Sequence, residues 1–130
     1  MSYDKVKTIT YTLDNYDFGA TADESFSFRL PTGYTGRLVK IGVMVTEAFV
    51  STSTNAFVQL GTASDDDAYG QLEIANGAAD VDCYDETDDT DAIIDEDIPA
   101  DTLLEVNLLQ AYAGSPTGKG NPFFVFEIFE

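Results

Sequence analysis

Carboxylates crowd the segment DDTDAIIDEDIPADT, residues 88–102, and the turn before it, so metal binding is the first chemistry to consider. Oxygen-rich loops of this kind suit Ca²⁺, but the spacing lacks the Gly at position six and the Glu at position twelve of an EF-hand loop. A second cluster, Asp65–Asp67, has the same ambiguity. Solvated surface is the favoured interpretation, and calcium is the alternative, with candidate ligands Asp85, Glu86, Asp88, Asp89 and Asp91.

The residue types of the chain give little support for catalysis. The chain has no histidine, so the usual imidazole base for activating Ser or Cys is missing. Carboxylate pairs could serve a glycosidase, but the sequence sets no distance between them. The one cysteine, Cys83, lies among carboxylates that raise the pKa of a thiol, and we expect it to be buried or inert. We predict a protein that is not an enzyme and holds no cofactor.

The net charge limits the partners. With 24 acidic and 6 basic residues the chain carries −18, and Asp outnumbers Glu by 16 to 8, a bias typical of halophilic proteins. Nucleic acid and anionic membrane surfaces are disfavoured, because both require Lys or Arg at the contact. Copies of the chain repel one another in dilute buffer, so the protein works in screening salt or brings its few cations to a contact.

The chain as a whole has the composition of one folded domain. Its hydrophobic content of 44% supplies a core, and no stretch is long and apolar enough for a signal peptide or a membrane span. We therefore expect a single soluble domain over residues 1–130, made in the host cytoplasm.

The elements that must position these residues are strands, because apolar and polar residues alternate with period two over most of the chain. We expect one helical turn at most, near Asp65–Tyr69, and a final hairpin of residues 103–112 and 123–129. Seven or eight strands predict an all-β, two-sheet antiparallel sandwich, most plausibly jelly-roll-like. The side chains expected to point inward are Phe26, Phe28, Leu30, Val39, Ile41, Val43, Val45, Val58, Leu60, Ile93, Ile94, Ile98, Phe124, Phe126 and Ile128.

The two last predicted strands are apolar on both faces. A sandwich buries one face of each strand, so the second face needs cover either from loops of the same chain or from a neighbouring subunit. Subunit contact is the favoured interpretation, and the candidate interface residues are Leu103, Leu109, Phe123, Val125 and Phe129.

The order of segments resembles that of small β-sandwich virion proteins of tailed bacterial and archaeal viruses. The resemblance is carried by GRLVKIGVMVTEAFVSTSTNAFVQLGTASDDDAYGQLEI, then DTDAIIDEDIPADTLLEVNLL, the loop AGSPTGKGN and the closing strand FFVFEIF. It covers residues 35–129, and its motifs are structural. The resemblance implies a capsid decoration or cement protein, or a head-fibre protein, on the capsid exterior of the virion.

The same resemblance implies the partners. Such proteins are often homotrimers, and they brace the lattice of the major capsid protein. Residues 1–8 are then expected to form an N-terminal arm whose Lys5 and Lys7 contact an acidic capsid. The alternative is a carbohydrate-binding module of a fibre, turret or tail, in which Tyr34, Tyr69 and Tyr112 stack on sugars.

Overall fold

The computed structural model describes residues 7–19, 22–50, 54–78, 82–110 and 116–129, and its regular elements are all strands. The predicted helical turn near Asp65 is wrong, because that segment begins a ten-residue strand. None of the described residues forms a helix long and apolar enough to cross a membrane. The strands are β1 (Lys7–Thr12), β2 (Tyr16–Asp17), β3 (Glu24–Phe28), β4 (Thr35–Val50), β5 (Ala56–Thr62), β6 (Asp65–Ile74), β7 (Cys83–Asp85), β8 (Asp97–Ile98), β9 (Leu104–Leu109) and β10 (Thr117–Phe129).

The strands form two antiparallel sheets that pack as a sandwich, as predicted. One sheet has the order β1-β10-β4-β7, with the two-residue strands β2 and β8 added to β10 and β4, and the other has the order β3-β9-β5-β6. Strand β1 pairs with β10, β3 with β9, β4 with β7 and β5 with β6. This nested pairing is that of one long hairpin rolled up on itself, which is the jelly-roll arrangement of eight strands.

The predicted final hairpin is wrong. Strand β9 lies in the four-stranded sheet between β3 and β5, whereas β10 lies in the six-stranded sheet between β1 and β4. In a rolled hairpin most consecutive strands, apart from the pair at its turn (here β5 and β6), cross from one sheet to the other, so adjacency in sequence does not give adjacency in the sheet. Strand β10 also begins earlier than expected. Pro122 lies on β10 between the segment that pairs with β2 and the segment that pairs with β1, and at this gap a missing N–H costs least.

The core lies between the two sheets. Ile41, Val43 and Val45 from β4 meet it as predicted, but Val39 is only partly buried and Leu38 takes the inward position. The reason is a bulge, since Val125 pairs with Lys40 while the next residue of β10 pairs with Leu38. The other predicted core residues that are buried are Leu30, Val58, Leu60, Ile98, Phe124, Phe126 and Ile128.

Candidate functional site

The acidic segment after β7 runs from one sheet to the other. Its backbone pairs first with β6, where Gln71 N donates to Ala92 O at 2.7 Å and Ile94 N donates to Tyr69 O at 2.9 Å. It then pairs with β4, where Leu38 N donates to Glu96 O at 2.8 Å and β8 continues the sheet. Because these bonds occupy the edge of β6, the segment closes one side of the sandwich.

Apolar residues anchor this segment at two points. Ala92 and Ile98 are buried, and Ile93 packs against the core. The prediction that Ile94 is a third anchor is wrong, because its side chain is 54% exposed. The segment therefore meets the core at Ala92 and again at Ile98, and residues 94–97 between them are exposed, as the sequence predicts for the rim of a β-protein.

The candidate calcium ligands accept hydrogen bonds from the chain itself. Asp88 Oδ2 accepts from Asp85 N at 3.0 Å, and Asp89 Oδ2 accepts from Glu73 N at 2.9 Å. Asp91 is exposed and donates its own N–H to Asp89 Oδ1 at 3.4 Å. Among the described residues, no group of three or more Asp, Glu, Cys or His side chains is placed to hold a metal ion. The carboxylates of this loop instead satisfy backbone donors.

Asp85 is the most enclosed of these carboxylates. Its Oδ2 lies 2.7 Å from Lys40 Nζ, and its Oδ1 accepts from Thr87 N at 2.9 Å and from the Thr87 hydroxyl. Partial burial raises the pKa of Asp85, but the hydrogen bonds from Lys40 and Thr87 outweigh that effect and lower it to about 2. Asp85 also raises the pKa of Lys40 through their hydrogen bond. The pair joins the loop after β7 to β4.

Cys83 lies beside this pair, with Sγ 3.7 Å from Asp85 Oδ2. The expectation that it is buried is wrong, because its side chain is exposed. Its pKa is raised, first by partial desolvation and then by the charge of Asp85, in the predicted direction. A raised thiol pKa lowers the thiolate population, so the residue is a poor nucleophile at neutral pH.

A cleft of about 340 Å³ opens between the end of β1 and strand β3. Its walls are both apolar and polar, and Phe26, in the inward row of β3, is 40% exposed there. Phe26 thus points inward as predicted but stays partly open to solvent, since β3 is an edge strand beside this opening. The lining residues are Thr12, Leu13, Asp14, Asn15, Tyr16, Glu24, Phe26 and Leu108.

The five predicted interface residues lie in three different places. Phe123 is only 8% exposed, because its own chain covers it, so no neighbour is needed there. Val125 and Phe129 are partly exposed on the outer face of β10, where Arg37 lies 5.7 Å from the centre of the Phe129 ring. Leu109 lies on the outside of the other sheet, opposite Phe57, and Leu103 is 46% exposed just before β9.

The outer face of the six-stranded sheet forms a continuous surface, which we call the Val125 face. Register places Thr10, Val125 and Lys40 in one row across β1, β10 and β4. Met44, 46% exposed, and Cys83 form the next part of the surface toward β7. The outward side chains that define this face are Thr8, Thr10, Thr12, Arg37, Lys40, Met44, Cys83, Val125, Glu127 and Phe129.

Charge divides unevenly between the two sheets. The strands of the four-stranded sheet contain no Lys or Arg and carry six carboxylates: Glu24, Asp65, Asp66, Asp67, Glu73 and Glu105. The strands of the six-stranded sheet carry four cations, Lys7, Arg37, Lys40 and Lys119, against five carboxylates, Asp17, Glu47, Asp85, Asp97 and Glu127. One sheet is therefore strongly acidic and the other is nearly neutral.

Three of the five Lys and Arg residues that the structure describes lie at one end of the sandwich, which we call the basic end. Lys7 and Arg37 lie near the starts of β1 and β4, and Arg29 follows the last residue of β3. Lys7 Nζ donates to the Tyr34 hydroxyl at 3.1 Å. Lys7 and Thr8 belong to β1, so the prediction that they are part of an arm is wrong, and the rest of the predicted arm, with Lys5, lies outside the described residues.

The predicted sugar-stacking tyrosines do not form a common platform. Tyr69 is only 9% exposed and belongs to the core, so that prediction is wrong for this residue. The Tyr34 ring is occupied by Lys7, whose Nζ lies 5.2 Å from the ring centre. Tyr112 lies outside the described residues.

No match was found when the chain was compared with models of protein families, with curated proteins and with solved structures. The resemblance to virion proteins therefore stays a prediction that the residues alone carry. The Val125 face and the basic end are the two surfaces on which a function can be argued, because they differ most from the acidic remainder of the molecule.

Proposed function

We propose that the chain is a non-enzymatic virion structural protein that decorates and stabilises the outside of a tailed-virus capsid. Its partners are the major capsid protein and further copies of itself, with a trimer as the expected number. The jelly roll supports the proposal, since this fold recurs in viral capsid domains, but the fold hosts other functions as well. The chemistry of the surface therefore decides among these functions.

The observation that carries the proposal is the sidedness of the charge. A decoration protein needs one side that adheres to a protein lattice and another that faces solvent without attracting nucleic acid or other particles. The four-stranded sheet, with six carboxylates and no cation on its strands, suits the solvent side. The six-stranded sheet suits the adhering side, because its cations and carboxylates nearly balance and leave little net charge to repel a neighbouring protein.

The basic end is the surface that we assign to the capsid. Lys7, Arg29 and Arg37 lie there, and Lys5 precedes Lys7 by two residues in sequence. Opposite charge on a lattice would orient the approaching molecule and raise its association rate, an effect that salt weakens. The remaining described cations, Lys40 and Lys119, lie nearer the middle and the other end of the same sheet.

Purified particles of the virus that encodes the chain provide the test. The proposal predicts that the chain is present in a fixed copy number and that particles stripped of it lose integrity at a lower temperature. Readding Lys7→Glu protein should give reduced occupancy, whereas Lys119→Glu, the same change at the other end of the sheet, should bind like wild type. Particles that lack the chain would contradict the proposal. Equal occupancy for both variants would contradict the proposed orientation, in which the basic end contacts the capsid.

A second candidate function, glycan binding on a virion fibre, turret or tail, is favoured by one row of side chains. Ser25, Asn107, Gln59 and Gln71 lie in register across all four strands of the acidic sheet, on its outer face. The Ser25 hydroxyl donates to Asn107 Oδ1, and Gln59 Nε2 donates to Gln71 Oε1 at 2.6 Å. Amide and hydroxyl groups of this kind can both donate and accept hydrogen bonds to sugars.

A glycan array separates the two candidates. A binding module should retain specific glycans, and Gln59→Ala should abolish that signal while Thr10→Ala, on the opposite sheet, should not. A chain that is silent on the array but present on particles supports decoration alone.

A further inference from the structure

We propose that copies of this chain associate by turning the Val125 face toward one another around a common axis, and that rising salt strengthens this association. The inference deepens the proposed function and rests on it, because that function is the reason that copies of the chain meet. The test uses the isolated chain, so self-association can be absent while binding to particles is still observed.

Electrostatics restricts where two copies can touch. Each chain carries −18, and an approach through the four-stranded sheet would oppose two surfaces that carry only carboxylates on their strands. The cations of the Val125 face have partners in their own chain: Lys40 Nζ lies 2.7 Å from Asp85, and Arg37 Nε lies 3.9 Å from Asp97. Lys40 Nζ also lies 3.4 Å from Glu86, and Glu127 is a further carboxylate of the face. Because charges of both signs are present, this face carries less net charge than the acidic sheet, and its approach to a second copy is opposed least.

The side chains of the Val125 face suit a contact between proteins. Thr8, Thr10 and Thr12 project from β1 on the exposed side, next to the partly exposed Val125. Met44, 46% exposed, adds a flexible apolar side chain that adapts to an opposing surface. Threonine methyl groups, Val and Met bury apolar area without leaving a charge unpaired, which is what the centre of a stable interface requires.

The Val125 face of one copy is covered better by the Val125 face of a second copy than by its acidic sheet. If the acidic sheet of a neighbour covered the Val125 face instead, its carboxylates would lose hydration, while the cations opposite them are already paired. Two Val125 faces lower this cost, because each brings charges of both signs rather than carboxylates alone. A two-fold pair or a three-fold ring can both arise when every copy turns the same sheet toward the axis, so the geometry is compatible with the expected trimer.

The dependence on salt follows from the separation of the two sheets. An interface held by ion pairs weakens as salt is added, because screening acts on the attraction. Here the contact is made mainly by apolar side chains and threonine hydroxyls. Screening therefore acts mainly on the repulsion between the carboxylates elsewhere on the two copies. The sign of the salt effect is therefore opposite to that of an ion-paired interface.

Sedimentation velocity of the purified chain tests both parts. In about 0.1 M NaCl the Debye length is about 10 Å, and in about 1 M it is about 3 Å, so we expect self-association to be at least about tenfold tighter in the second buffer. Thr10→Glu should prevent it, and Ser27→Glu should not. The two variants are matched, since each adds one carboxylate to an exposed position of an edge strand, but on opposite sheets.

Four results would overturn the inference: a monomer in both buffers, tighter association in the dilute buffer, equal effects of the two substitutions, or no effect of Thr10→Glu. Met44→Glu is the second variant if Thr10→Glu fails to fold, and circular dichroism verifies folding. A monomeric chain that nevertheless binds particles would contradict this inference and leave the proposed function intact.

Discussion

The ring of Phe123 lies directly over Gly42, its register partner on β4, and this contact explains why an outward-pointing phenylalanine is only 8% exposed. A Cβ at Gly42 would fall 2.6 Å from Phe123 Cζ and 3.0 Å from Asp85 Cβ. The glycine thus leaves the space into which the ring folds, and the cover that the sequence assigned to a neighbouring subunit comes from the chain itself at this position.

Gly42→Ala is expected to lower the free energy of unfolding by about 1–3 kcal/mol, because the added methyl group overlaps the Phe123 ring. Chemical denaturation measures the change. In a Phe123→Leu background the smaller side chain leaves room, so the same substitution should cost less. Additive effects of the two changes would show that the ring does not press on Gly42.

Asp85→Asn is expected to destabilise the fold by about 2–3 kcal/mol, since Asp85 is only 7% exposed and the substitution removes the charge that binds Lys40 and Thr87. Asp91→Asn is the matched control, because Asp91 is exposed in the same loop. It should change the free energy of unfolding by less than about 0.5 kcal/mol. Equal effects would mean that the Lys40 pair adds nothing to stability.

The pH dependence of stability should carry the signature of Asp85. Its pKa is lowered from 3.8 to about 2 in the folded state, so its contribution of about 2 kcal/mol is complete above pH 3.8 and disappears as the pH falls through 2. Denaturation of the wild type and of Asp85→Asn between pH 5 and about pH 2 measures it. The difference between the two proteins should shrink over this window, and a constant difference would contradict the assignment.

Two isoleucines of the acidic segment should respond differently to truncation. Ile98→Ala should lower stability by about 2–4 kcal/mol, because Ile98 is 2% exposed and its loss leaves a cavity between the segment and β4. Ile94→Ala removes the same atoms from a side chain that is 54% exposed and should cost less than about 0.5 kcal/mol. Similar losses for both would show that the segment is not anchored as described.

The fold class could be predicted from the sequence because period-two patterning is local. The inward faces of β5 and β10 follow directly from it, as Val58, Leu60, Phe124 and Phe126 show. The shift at Val39 could not be predicted, since a bulge changes which face a residue occupies without changing the composition of the strand. The pairing of β9 with β3 also depends on contacts remote in sequence.

The division of charge between the sheets needed the sheet order as well as the sequence. Each strand shows its own Lys, Arg, Asp and Glu, but only the topology collects Lys7, Arg37, Lys40 and Lys119 into one sheet. The burial of Phe123 by its own chain could not be predicted for a related reason. A glycine within a strand indicates a close approach, but the sequence alone does not give its partner in the register.

The most direct test of the account uses the one cysteine of the chain, which lies exposed on the Val125 face. Maleimide labelling of Cys83 is measured for the free chain in about 0.1 M NaCl, where self-association is weak, and for the chain on purified particles in the same buffer. Ser27→Cys in a Cys83→Ser background is the probe of the acidic sheet. The account predicts that Cys83 becomes at least about tenfold less reactive on the particle, because the face is covered there, while Cys at position 27 stays reactive. Equal reactivity of Cys83 in both states would contradict the account.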